Sequence, residues 1–178
     1  MSKAFTRESE DAPEPPPPRA SSALPPGTPN YMTPDGVDRV RLELARLVEE
    51  ERPRRLAAAG GRASTAVLDL RIRQLEDTLR SAVVVPPPDP GDPRARLGSW
   101  VTVERGGGDR CCYRIVGVDE TDVDRGWISW LAPVARALVN HQAGDVIRFR
   151  FPSGEETLRV VSVQATEPDP DAQGRPSA

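Results

Sequence analysis

Four groups of side chains in this 178-residue sequence have the chemistry to hold an ion or move a proton. They are the acidic run Glu49, Glu50 and Glu51, the adjacent Cys111 and Cys112, the acidic pair Asp119 and Glu120, and His141, the single histidine. Three successive helical residues leave the axis in about three different directions, so Glu49–Glu51 cannot converge on one cation and read as a solvated face. Adjacent cysteines on a strand point to opposite faces, giving one core thiol, one surface thiol and no staple between them. One histidine and two cysteines cannot supply the four ligands of a typical zinc site. His141 stands without a Ser, Cys or acid constellation to make it a catalytic base, and reads as a surface loop residue. The segment Arg105–Asp109, "RGGGD", lacks the Gly-Lys-Ser/Thr ending and the following helix of a phosphate loop. No catalytic residue and no cofactor is expected.

The stretch "ERPRRLAAAGGRASTAVLD", Glu51 to Asp69, is the opposite case. It carries Arg52, Arg54, Arg55 and Arg62 and no carboxylate between its two ends, so it can neither hold a metal nor move a proton. Arg54 and Arg55 have two readings. They are ordinary cations near the carbonyl end of a helix, or they make charge-assisted contacts to RNA or to an acidic protein surface.

The elements that position these groups are legible. Thr33 is an N-cap, Pro34 occupies the first helical position and Asp35 sits in the first turn. Val37, Val40, Leu44, Leu47 and Val48 form an apolar stripe, as do Leu68, Ile72, Leu75 and Leu79, with Arg71 facing Glu76. Pro53 ends or kinks the first helix, an interior proline costing about 3 kcal/mol. Gly60 and Gly61 mark a helix stop. Two amphipathic helices around a short turn make an antiparallel hairpin over residues 31–85; the alternative is one broken helix packed on the next domain.

Prolines at 86, 87, 88, 90 and 93 make residues 86–96 a linker. Residues 97–165 then change texture to short strands in "GSWVTVE", "RCCYRIVGV", "WISWL", "DVIRFRF" and "ETLRVVSVQ", with one short helix in "APVARALVN". The fold class is α+β, a helical hairpin followed by an antiparallel sheet wrapped on a helix. The proline-rich residues 1–30 and the polar 166–178 are expected to be a disordered leader and tail. A net charge of -3 gives no global pull to nucleic acid or membrane, and no apolar run approaches the roughly 18 residues of a membrane span. With an opening that lacks a signal-peptide core, a cytoplasmic protein is expected.

Several motifs in a fixed order resemble the GreA/GreB transcript-cleavage factors. They are "IVG-x-DE" at Ile115–Glu120, "P-x-A-x-AL" at Pro133–Leu138, Gly144–Asp145 and "P-x-G-E" at Pro152–Glu155. The start "NYMTPDG" is similar to that family's first helix, and "MSKAFTRE" and "EEERP" look like its GreB branch. The resemblance implies a coiled-coil hairpin followed by an FKBP-like domain. It also implies a partner, RNA polymerase, with the globular domain at the secondary-channel rim, the hairpin pointing inward and RNA or DNA of the transcription complex within indirect reach.

Cleavage-competent members place an Asp and a Glu at the hairpin tip, where they help retain a second Mg²⁺. Laid on that pattern, this chain has Gly61 for the Asp, Ser64 for the Glu and Leu68 for a following tyrosine. The arms fit as shorter by about six residues before the turn and about ten after it, a shortfall of roughly 9–15 Å. Direct ligation needs about 2 Å, so transcript cleavage is expected to be absent and the chain is expected not to be an enzyme. The tip set is thus Arg54, Arg55, Gly60, Gly61, Arg62 and Ser64. The docking set is Asp119, Glu120, Trp130, Leu131, Ala132 and Pro133, where Leu131 and Ala132 replace a polar pair common in relatives. Two alternatives stay open there. Asp119 and Glu120 bind arginine on a partner or fix the local turn, and Trp127 and Trp130 anchor a partner or fill the core.

Overall fold

The computed structural model describes residues 24–57, 65–151 and 154–168. The tip residues Gly60, Gly61, Arg62 and Ser64, most of the leader and most of the tail lie outside them.

Strand β1 (Asn30–Met32) leads into helix α1 (Pro34–Arg46). Thr33 caps it in extended geometry, its hydroxyl accepting from the Gly36 N–H at 3.1 Å. A π-helical segment, Leu47–Glu51, follows and passes into α2 (Arg52–Ala57). This settles the choice left by Pro53. The Arg52 N–H bonds back five residues to the Leu47 carbonyl, and the proline falls in the first turn of the new α-segment, where a missing N–H costs little. The extra residue in the turn rotates the stripe, and Val48 ends 42% exposed while Leu47 stays buried.

Helix α3 (Ala66–Ser81) packs on α1 through Leu68, Ile72 and Leu75 against Val37, Val40 and Leu47. Ion pairs Arg52–Asp69 (2.9 Å) and Arg71–Glu43 (2.8 Å) bind the two arms in opposite directions of travel. Arg71 therefore pairs across the arms and not with Glu76, the expected partner on its own helix. Strand β2 (Ala82–Val84) then returns to pair in parallel with β1. This two-stranded seam was not expected from the sequence.

The strands of the second sheet are β3 (Trp100–Arg105), β4 (Arg110–Val116), β5 (Trp127–Ser129), β6 (Val146–Phe151) and β7 (Gly154–Gln164). They run in the order β5-β4-β3-β7-β6. All pairings are antiparallel except β4 with β5, which corrects the expectation of a wholly antiparallel sheet. A register shift between Thr102 and Val103 inserts one residue of β7 and bends the sheet. Helix α4 (Pro133–Leu138) fills the concave side, with Ala135 and Leu138 among Val101, Val103, Ile115, Ile147, Leu158 and Val160. Ala95, in the segment read as linker, is 0% exposed and joins that core. The opposite face of β3, β4 and β5 buries Trp100, Val116 and Trp127.

No helix among the described residues is long and apolar enough to cross a membrane.

Candidate functional site

The richest polar geometry lies where the arms meet the sheet. The 3₁₀ turn Val118–Glu120 follows β4 and carries both acids of the "DE" pair. Glu120 is not available to a partner, because its side chain is 1% exposed. Its Oε2 accepts from the backbone N–H of Thr33 at 2.8 Å and of Gly117 at 3.0 Å. Its Oε1 accepts from the Thr33 hydroxyl and from Arg39 Nη2 at 3.4 Å. Buried carboxylates need such a set of donors, since desolvation otherwise costs several kcal/mol. Asp119 Oδ2 accepts from Asn30 Nδ2 and from Thr78 Oγ1, each at 3.2 Å. The pair therefore fixes more than its own turn, and it holds both arms. A Cβ at Gly36 would meet Glu120 Oε1 at 2.0 Å, and one at Gly117 would meet the Tyr31 carbonyl at 2.3 Å. Glycine at these positions is a matter of space.

Beside this junction three guanidinium groups crowd the Trp127 ring, with Arg39, Arg125 and Arg114 at 4.2, 4.7 and 4.9 Å from its centroid. Burial first, with the charges of Arg114 and Arg125, holds Arg39 below the ordinary guanidinium value against the pull of Glu120. Arg114 pairs with Asp35 at 2.6 Å. A cleft of about 390 Å³ opens here between α1, α3 and the 118–127 loop, lined by Arg39, Glu43, Arg71, Gln74, Asp122 and Arg125 among others. Trp127 is thus core as well as cation platform, the structural side of the alternative left by the sequence.

Trp130 is half-buried and packs against Tyr31 of β1 in a tilted arrangement, with ring centroids 5.3 Å apart and planes at 60°. Its loop is closed by the Leu131 N–H on Ser129 Oγ at 3.1 Å and the Ala132 N–H on the Ser129 carbonyl at 2.9 Å. Leu131 and Ala132 are half-buried and Pro133 is exposed, so this corner presents a small apolar surface touching both parts of the molecule. The structure brings Asp119, Glu120 and Trp130 to the junction, and leaves Arg54 and Arg55 on α2, far along the arm.

The remaining candidates resolve simply. Glu51 pairs with Arg46 at 3.4 Å and with Arg55 at 3.6 Å; it does not reach across to α3, while Glu49 and Glu50 are exposed. Cys111 and Cys112 do point to opposite faces, but both are half-buried, since the sheet is covered on both sides there. His141 does have an acid beside it, Asp145 Oδ2 at 3.0 Å from Nδ1. Sequence reasoning missed Thr33, Asn30 and Thr78 as partners of the acids. Nothing local signals a hydrogen bond between residues so far apart in the chain.

Comparison with known proteins fits this architecture. Residues 90–165 match the family model described as transcription elongation factor, GreA/GreB, C-terminal, which gives the class. The transcription elongation factor GreB of Neisseria meningitidis is 34% identical over 160 residues, covering 77% of this chain and 94% of the relative. The GreB of Xanthomonas axonopodis pv. citri is 37% identical over 165 residues, covering 83% and 94%. The crystal structure of GreA factor homolog 1 (Gfh1) of Thermus thermophilus overlaps at 27% identity, 77% of this chain and 99% of that one, with a TM-score of 0.37, too low to carry an argument. At the identity and coverage of the GreB relatives, the chain belongs to the GreA/GreB family of transcription elongation factors.

Proposed function

We propose that this chain is a transcription regulator of the Gre type that binds RNA polymerase at the rim of the secondary channel, is not itself an enzyme, and does not stimulate transcript cleavage. Family membership supports the partner. The loop Trp130–Pro133, held against Tyr31, supplies the docking surface, and α1 to α3 form the coiled-coil hairpin that points inward. Arg54 and Arg55 on α2 give its far end a cationic character suited to RNA or to acidic channel residues, and the sequence that follows adds Arg62.

One observation carries the loss of cleavage. The acids nearest the turn, Glu51 and Asp69, are each held by arginine, and the sequence between them contains no carboxylate. Each already serves an arginine, and the sequence between them offers no carboxylate to the shell of a second Mg²⁺, which takes oxygen ligands at about 2 Å. The N. meningitidis match fits a chain that is shorter within the aligned region. It runs over 160 residues yet draws on only 77% of a 178-residue chain, so that relative has residues with no counterpart here.

The test is a pair of measurements with purified full-length protein: co-sedimentation with RNA polymerase, and incubation with backtracked transcription complexes in Mg²⁺. Binding with no shortening of the nascent RNA is expected. Mg²⁺-dependent shortening overturns the no-cleavage reading, and absence of binding overturns the choice of partner.

A further inference from the structure

The joint between arms and sheet is built more heavily than a turn requires. One oxygen, Glu120 Oε2, accepts a backbone N–H from the sheet domain at Gly117 and another from the arm at Thr33. The other oxygen takes the Thr33 hydroxyl and Arg39. The preceding residue, Asp119, accepts from β1 through Asn30 and from α3 through Thr78. Two consecutive side chains of one short turn therefore hold the start of the first arm and the end of the second. Apolar surfaces alone allow packed elements to slide in small shears. Buried N–H donors aimed at one carboxylate do not, because hydrogen bonds weaken steeply away from linearity. The space around the carboxylate is also filled, as the glycines at 36 and 117 show.

We propose that Asp119 and Glu120 form a two-pronged clamp that fixes the direction of the helical arms, and that the regulatory effect depends on this direction more than attachment to the polymerase does. The clamp stands on the geometry; its consequence for transcription rests on the function proposed above. Lever arithmetic shows why it matters. From Pro34 to Ala57 the first arm is about 24 residues or ~36 Å long, and a rotation of about 10° at its base moves the far end by ~6 Å. A displacement of that size is enough to undo contacts at the far end while leaving the docking loop in place.

Spin labels at Arg73→Cys on α3 and Arg148→Cys on β6, both exposed positions, in a Cys111→Ser, Cys112→Ser background, read the angle as a distance distribution. Thr33→Val removes the hydroxyl donor, Gly36→Ala pushes the carboxylate out, and Thr78→Val loosens the second prong on the side of α3, so the set does not hinge on one variant folding. Circular dichroism identifies the folded variants. The expected result is a distribution about twofold broader, polymerase binding retained, and an effect on transcript yield reduced about tenfold. An unchanged distribution in the folded variants overturns the clamp. A broadened distribution with undiminished effect on transcription overturns its functional role. Failure of the parent protein to bind polymerase sinks the reading it rests on, and leaves the distance result to decide the clamp.

Discussion

Arg52 and Asp69 face one another across the two arms, Nε to Oδ1 at 2.9 Å, and this contact ties down the first acid after the turn. Both side chains are partly exposed, so the pair is a weak strut. Arg52→Ala is expected to cost under about 1 kcal/mol in urea unfolding. Freeing Asp69 in this way supplies one carboxylate and no second one. Backtracked complexes given the variant should show the same background RNA shortening as those given the parent, and Mg²⁺-dependent cleavage would count against the proposed function.

The concave side of the sheet is where stability concentrates. Leu158, 1% exposed, lies opposite Ile147 among Leu138, Val103 and Val160. Leu158→Ala is expected to destabilise by about 2–5 kcal/mol through lost burial and a residual cavity. Denaturant unfolding checks this, and a loss below about 1 kcal/mol would mean the core repacks around the gap.

Docking is expected to be sensitive at one exposed corner. Leu131→Asp places a charge beside Trp130 and Pro133 without disturbing the bond its backbone N–H makes to Ser129. Affinity for polymerase should fall by about 1–3 kcal/mol, a factor of roughly 5–150, with the folded spectrum unchanged. Equal affinity of the two proteins would move the docking surface elsewhere.

The loop after α4 should respond to acid. The Gln142 N–H first, and then His141, hold the Asp145 carboxyl below the ordinary range, and the Arg94 N–H and the Arg96 side chain do the same for Asp92. A carboxyl depressed in the folded state adds stability above its unfolded pKa and loses it as pH falls through the folded value. Stability should therefore be level across neutral pH and decline below about pH 4. Carboxyl-carbon NMR titration reads this directly. A midpoint for Asp145 at or above the peptide value would refute it.

Much of the local structure was legible because its causes are local. The Thr33 cap and the stripes along α1 and α3 each depend on residues within a few positions of one another. What was not legible depends on pairs far apart. Asn30 read as the end of the leader, and Tyr31, Met32 and Ala82–Val84 as the outer ends of the hairpin region, since three-residue strands carry no periodicity and their pairing spans the whole hairpin. Glu120 read as a surface acid because its donors sit near the other end of the chain. Val48 read as core because a 3.6-residue period cannot foresee a π-turn. Asp119 and Glu120 read either as contacts to a partner's arginine or as fixing their own turn; Glu120 holds that turn through Gly117 and also fastens the start of the first arm through Thr33.

The seam between β1 and β2 has a consequence for how such molecules change over time. It stitches together the chain just before the first arm and just after the second, with Asn30 beside Ala82 and Met32 beside Val84. Residues deleted in step from both arms at their far end leave those stitches where they were. The finger can be trimmed or extended like a telescoping rod while its mounting stays the same, so reach can be reset in evolution without rebuilding the body that carries it.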